Sequence, residues 1–251
     1  MKSVRLGFLL LTAIAVAAGC TKKQSAPMPP VDAANKPTEA ATGAPTGDTL
    51  PAELQNDAYA YYGLGAAKSM YYSVKTRTGQ PARSTEEDGA VTVKLDSVKD
   101  GKALYSMTRM DLGVLDSTDT IELSSEGVKV IASDESKFDV PTLDLPAKIE
   151  VGKSWPVKTS FKSPTGEQLT LDGTMKIDRI QKVKVKAGEY DTIAVVLDAT
   201  ITVGAQKGVA KGTSWYAKNV GLIKQEMSQT LSGMTGTVSF ELRPAPDESK
   251  K

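Results

Sequence analysis

Histidine is absent from the 251 residues, cysteine occurs once, and aromatic side chains make up only 6% of the chain. Without an imidazole, no histidine-based catalytic triad can form in cis, and no imidazole proton relay can work near neutral pH. Zinc is not expected given the same shortage, since it prefers imidazole and thiolate, while carboxylates alone suit calcium or magnesium. Charge of one sign is lacking too: 31 basic against 30 acidic residues leave a net charge of +1. Nucleic-acid phosphates call for a concentrated basic surface, so no nucleic-acid partner is expected.

The one cysteine is informative through its position. Lys2 and Arg5 precede an apolar run from Leu6 to Ala18, and small residues Ala17, Ala18 and Gly19 lead into Cys20. This order of basic, apolar and small-residue regions is that of an export signal, and the run is short for a membrane span. Ala17-Ala18-Gly19-Cys20 resembles the lipobox of bacterial lipoproteins, with Ala17 where that family usually has Leu. The resemblance implies cleavage before Cys20 and acylation of its sulfur and new amino terminus, palmitate included. An ordinary signal peptide cleaved near Ala18 is the alternative, and it leaves the position of the lone cysteine unexplained. Acyl chains at about 0.8 kcal/mol per buried methylene would make the membrane a permanent partner. Loss of Lys2 and Arg5 with residues 1–19 lowers the basic count to 29 against 30 acidic residues, so electrostatics add little to that attachment.

Residues 20–51 read as a lipidated cysteine followed by a tether rich in Pro, Ala and Thr. Only Met28, Val31 and Leu50 there suit a core. Such a segment cannot offset its ordering entropy, so a disordered linker with a reach of roughly 30 Å is expected. Thr21 after the cysteine lacks the aspartate that signals inner-membrane retention in some diderm families. The expected location is therefore the cell envelope: the outer membrane facing the periplasm in a diderm source, or the outer face of the plasma membrane in a monoderm.

Residues 52–243 read as one domain, followed by a polar tail at 244–251. Leu54, Ala58, Tyr61 and Tyr62 suit one short helix between Ala52 and Leu64. The period then switches to two, in Met70-Tyr72-Val74, Val91-Val93-Leu95, Leu169 to Ile177, Ile193 to Val203 and Val238-Phe240-Leu242. Turn signals fall at Asp88-Gly89, Asp100-Gly101, Ser125-Glu126-Gly127, Pro164-Thr165-Gly166, Ala187-Gly188 and Ser232-Gly233. Ten or so strands are expected, joined as antiparallel hairpins. Phe138 to Gly152, with Pro141 and Pro146, reads as an irregular connection between two meanders. The expected fold class is all-β and mainly antiparallel: a single strongly curved sheet, half-barrel or barrel-like, with one short N-terminal helix, because accumulated twist curls so large a sheet. A transmembrane barrel is not favoured, since aromatic girdles are wanting and the tail is charged.

The stretch from Leu145 to Glu226 carries Gly152-Lys153-Ser154-Trp155, Ala187-Gly188-Glu189-Tyr190-Asp191-Thr192 and Trp215-Tyr216-Ala217 followed by Val220-Gly221-Leu222. These motifs resemble a group of uncharacterised bacterial secreted and lipoprotein β-domains. The resemblance brings no catalytic residues with it. The group's curved sheets look broadly like those of lipoprotein carriers and assembly factors of the diderm envelope.

Read physically, Gly188 supplies a turn at positive φ, Tyr190 packs at the strand start, and Val220-Gly221-Leu222 is a hairpin return. Trp155 and Trp215 are core anchors whose indole N–H groups should find carbonyls. The functional reading of Trp155, Tyr190, Trp215 and Tyr216 is a row on the concave face that contacts an apolar ligand. Other signals are sparse. Gly63 to Ser69 has Tyr62 and Ala67 where a phosphate loop requires glycine. No Gly-x-Ser-x-Gly elbow or Ser-x-x-Lys dyad occurs. Asp111, Asp116 and Asp119 around Gly113 are the metal candidates, without EF-hand spacing. No cofactor is expected. The leading expectation is a non-enzymatic, lipid-anchored protein binding an envelope partner or an apolar ligand. A lipid or lipoprotein carrier, and a polymer hydrolase with paired carboxylates, remain as alternatives.

Overall fold

The structure, a computed structural model, describes residues 50–65, 69–79, 81–112, 115–134, 136–162 and 167–246. The export signal, Cys20, the tether, the turn at 164–166, Ala66 to Lys68 of the loop resembling a phosphate loop, and most of the polar tail lie outside them.

The twelve strands are β1 (Met70–Thr78), β2 (Arg83–Lys99), β3 (Lys102–Met110), β4 (Ser117–Ser124), β5 (Gly127–Ser133), β6 (Ser136–Pro146), β7 (Ser154–Lys162), β8 (Gln168–Val185), β9 (Gly188–Val203), β10 (Gln206–Ala217), β11 (Gly221–Leu231) and β12 (Met234–Arg243). They form a single antiparallel sheet in the order β6-β5-β4-β3-β2-β1-β12-β11-β10-β9-β8-β7, curled into a nearly closed barrel. The expected fold class holds, with twelve strands in place of ten or so.

Two local expectations are corrected. Phe138 to Pro146 belongs to β6, a terminal strand of the sheet, and is not a connection. Pro141 sits where the β5 register shifts, between Val130 and Ala132, so its missing N–H interrupts no regular ladder. Asp88-Gly89 is no turn but lies within β2, paired with Ser73 and Tyr72. Gly89 is required there because an added Cβ would meet Met110 O at 2.3 Å and Leu112 Cδ2 at 2.5 Å. The remaining turn signals within the described residues hold. At Asp100-Gly101 (φ 53° and 71°) and Ser232-Gly233 (φ 51° and 80°), paired positive φ values match the twist of two-residue hairpins.

Inward positions build one core, with Tyr72, Ile121, Leu123, Leu171, Ile177, Ile201 and Phe240 among its buried members. Curling the sheet brings inner faces close, and inward glycines make room. A Cβ on Gly173 would lie 2.3 Å from Asp198 O and 2.5 Å from Ala199 Cβ. Gly173→Ala is therefore expected to cost about 1–3 kcal/mol, read as a lowered urea midpoint with an unchanged slope.

One end of the barrel is closed by α1 (Asp57–Tyr62), preceded by a 3-10 turn at Ala52–Leu54. The Asn56 side chain caps the helix by accepting from Tyr59 N at 3.1 Å, and Gly63 ends it in the left-handed region. Leu54, Ala58 and Tyr62, four residues apart, form the buried stripe. Asn56 Nδ2 donates to Ser124 O (3.0 Å), Asp57 N to Ala147 O (3.0 Å) and Asn219 N to Ala60 O (2.7 Å), so strands on both sides hold the plug.

Candidate functional site

Three regions depart from a plain barrel: the junction of β6 with β7, the buried polar groups beneath α1, and the far half of the β8–β9 hairpin.

β6 and β7 are the two ends of the sheet, and the described residues form no backbone ladder between them. Side chains bridge instead. Trp155 Nε1 donates to Leu143 O (2.8 Å), Thr159 Oγ1 to Val140 O (3.0 Å) and Ser160 Oγ to Asp139 Oδ2 (2.9 Å). The Phe138 and Phe161 rings meet at 5.4 Å between centroids. Matching residues run in opposite directions along the two strands, so the junction imitates an antiparallel pair. Trp155 thus finds the carbonyl expected for it, with a closing role that strand periodicity does not reveal.

Inside, Arg109 (4% exposed) on β3 and Asp119 (2%) on β4 form an ion pair at 2.6 Å. Arg109 also donates to Ser117 Oγ (2.7 Å), and Ser133 Oγ donates to Asp119 Oδ1 (2.6 Å). Tyr62 OH of α1 donates to Asp144 Oδ2 (2.8 Å) on β6 and stacks on Tyr216 at 6.0 Å. Burial is the main cause that lifts the Asp144 carboxyl to about 6; nearby Asp119 adds to the rise, while the Tyr62 hydrogen bond and Arg109 oppose it. Burial likewise pushes the Tyr62 hydroxyl well above its usual range, helped by Asp144. Oδ1 of Asp144 has no hydrogen-bond partner among the described residues. These groups are hydrogen-bonded to one another in the core, where they serve packing and orientation.

Little space remains in the lumen. The cavity among Tyr62, Tyr72, Met107, Arg109, Tyr216 and Phe240 measures about 20 Å³. One water needs roughly 10–15 Å³, so this cavity has no room for an acyl chain.

The third region arises because β8 is longer than β7. Ladder pairing of the two strands ends at Ser154 with Lys176, and a register shift follows between Ile177 and Arg179. Beyond it the hairpin continues with β9 alone and folds back over the outer wall. At its tip Lys186 N donates to Glu241 Oε1 (3.0 Å), Ala187 N to Leu242 O (3.3 Å), and Lys186 Nζ to Ser73 Oγ (3.4 Å). Ser73 and Glu241 face away from the inward Tyr72, Val74, Phe240 and Leu242, so this arm lies on the outside. Its buried underside includes Val185, Thr192 and Ala194. Trp215 pairs in register with Ala194, shares that outer face and is only 8% exposed, with Lys224 Nζ 5.4 Å from its ring centre.

The four aromatics singled out in the sequence therefore do not share a surface. Trp155 closes the junction and Tyr216 lies in the core. Trp215 lies on the outer wall, and Tyr190 stands on the arm with its hydroxyl donating to Ala187 O at 3.3 Å. The carbonyl partner expected for Trp215 is absent: its Nε1 is buried without a partner among the described residues. Ordinary alternation along β10 turns Tyr216 inward and Trp215 outward, and the extra residue of the register shift, Ile223, lies on the neighbouring β11. Gly188 has the expected positive φ, at 139°. Of the three aspartates, Asp119 is set apart from the other two. Asp119 points inward to Arg109, whereas Asp116 Oδ1 accepts from Leu112 N (2.7 Å) beside an open trough that Asp111 also lines.

Side chains bridge the β6–β7 junction of this barrel, and buried apolar residues pack its core. Among families, a model described as DUF3108-like matches residues 115–238, which takes in β4 to β11 and part of β12, with the junction and the arm. Among solved structures, the chain is similar to a Bacteroides fragilis NCTC 9343 protein provisionally described as exported, with a YmcC-like fold. Identity is 10%, coverage 71% of this chain and 96% of that one, and the TM-score 0.47. A provisionally described lipoprotein of Parabacteroides distasonis ATCC 8503 aligns at 10% identity over 70% of this chain and 95% of its own, with a TM-score of 0.46. The hypothetical lipoprotein YmcC of Escherichia coli K12 aligns at 10% identity over 70% and 86%, with a TM-score of 0.35. No curated protein matches the chain.

Proposed function

We propose that this chain is a lipid-anchored, non-enzymatic protein of the cell envelope that holds its closed barrel at the membrane and binds an envelope protein through its outer surface. The observation that carries this reading is the filled lumen, with a cavity of about 20 Å³. A carrier of lipids or acylated proteins needs a deep apolar concavity, and this interior is occupied by its own side chains. A hydrolase needs two close, accessible carboxylates; Asp119 and Asp144 are buried against Arg109 and Tyr62, and in the open trough Asp116 is engaged by Leu112 N. The outer wall is what remains available to a partner.

Anchoring rests on the sequence around Cys20. Labelled palmitate supplied to expressing cells should enter the full chain and be lost in Cys20→Ala. Label that persists in Cys20→Ala would defeat the anchor.

A further inference from the structure

The arm carries an exposed strand edge. Ile177 makes the last bonds on the β7 side, donating to Lys153 O at 2.9 Å and accepting from Gly152 N at 2.7 Å. From Arg179 to Val185 the strand is paired in unbroken register with Ala194 to Gly188 on β9, and on its other edge with no strand among the described residues. We propose that this edge, Asp178 to Val185 of β8, is a strand-pairing site for an extended acidic segment of a partner protein. The inference rests on the partner-binding reading above and names the surface and the chemistry.

Long, regular edges are avoided in proteins because their open N–H and C=O groups template pairing with other chains. This one is seven paired residues long and held in place: its tip is bonded to β12 and β1, and its underside is packed. An incoming strand would therefore meet a preorganised edge, which lowers the ordering cost of binding. Side chains select the occupant. Ile180, 64% exposed, stands with Lys182 and Lys184 on the solvent side. Lys182 lies 3.6 Å from both Glu189 and Asp191, but Lys184 has no ion pair among the described residues. A second copy pairing edge to edge would bring these lysines together, and like charges opposed across strands destabilise the pair. Alternating acidic and apolar residues would meet Lys182 and Lys184 with opposite charge and leave an apolar contact for Ile180.

A blocked nonapeptide of alternating Glu and Val is the direct probe, applied to the full chain with amide hydrogen exchange as readout. Exchange between Arg179 and Val185 is expected to slow about tenfold or more at saturation, corresponding to 1.4 kcal/mol. The Lys-for-Glu peptide should give no protection, and Lys182→Glu with Lys184→Glu should weaken the acidic peptide about tenfold or more. A version N-methylated at alternate residues should not protect, since it cannot complete a ladder. Protection elsewhere, or equal protection by the N-methylated peptide, overturns the edge assignment. A photoreactive residue at Ile180, compared with ones at Lys158 and Lys211 in living cells, separates the two claims. Protein adducts at the wall positions with none at Ile180 overturn the edge and leave partner binding standing. Silence at all three positions removes both.

Discussion

Asp119→Ala is expected to be the most damaging single polar substitution in the barrel, costing about 3–5 kcal/mol of stability. The loss exceeds the net worth of the ion pair, because Arg109 stays buried, 4% exposed, without its directly bonded carboxylate. Ser117 and Met107 would remain its hydrogen-bond partners, neither of them anionic, and the nearby carboxyl of Asp144 is bonded to Tyr62. Replacing both partners by apolar residues of similar size, Arg109→Met with Asp119→Leu, should recover most of the loss, since desolvation is then removed along with the attraction. Urea denaturation of the two variants beside the parent checks this. A double variant as unstable as Asp119→Ala would show that the pair specifies the fold in a way packing cannot replace.

The second large effect is on pH dependence. Asp144 has its carboxyl raised to about 6, principally by burial, against 3.8 for the ordinary group. A carboxyl raised on folding binds its proton more tightly in the folded chain, so its stabilisation is fully present below about pH 4. It is lost as pH rises through about 6 and stays level above that. The shift corresponds to a loss on the order of 3 kcal/mol across that window. Glu86, Glu126 and Glu150 are lowered by neighbouring hydrogen bonds and lysines, and their exposed contributions run the opposite way at acid pH. The difference between parent and Asp144→Asn therefore isolates the buried group. The parent's urea midpoint should fall between pH 4 and pH 6.5 relative to Asp144→Asn. Parallel profiles would mean that Asp144 is as well solvated folded as unfolded.

Strand alternation made most of the barrel legible in the sequence, wherever one face is buried and the other wet. It failed where that asymmetry fails. Residues 83–88 of β2 are exposed along their whole length, so no apolar register marked them, and Asp88-Gly89 read as a turn. In β6 the prolines masked a strand, because a terminal strand with shifted register tolerates what an interior strand does not. The folded arm lies further from sequence reach. It depends on β8 outrunning β7 and on the shift after Ile177, and both are tertiary facts. The Arg109–Asp119 pair did leave a trace. Arg109 continues the inward register of Ala103, Tyr105 and Met107, and Asp119 begins that of Ile121 and Leu123. Opposite charges in two facing apolar registers are a readable sign of a buried ion pair. Trp215 and Tyr216 are neighbours on one strand, so alternation by itself puts them on opposite faces, and a single row holding both was excluded by the sequence spacing.

Partner binding through the outer wall requires a barrel interior filled by its own side chains in the acylated chain. Native mass spectrometry of the full, acylated chain released from mild detergent tests this directly. The expected result is the mass of the chain cleaved before Cys20 plus its covalent acyl groups, with every further lipid shed under gentle activation. A stoichiometric lipid that stays bound until the chain unfolds would contradict it and return the barrel to the carriers.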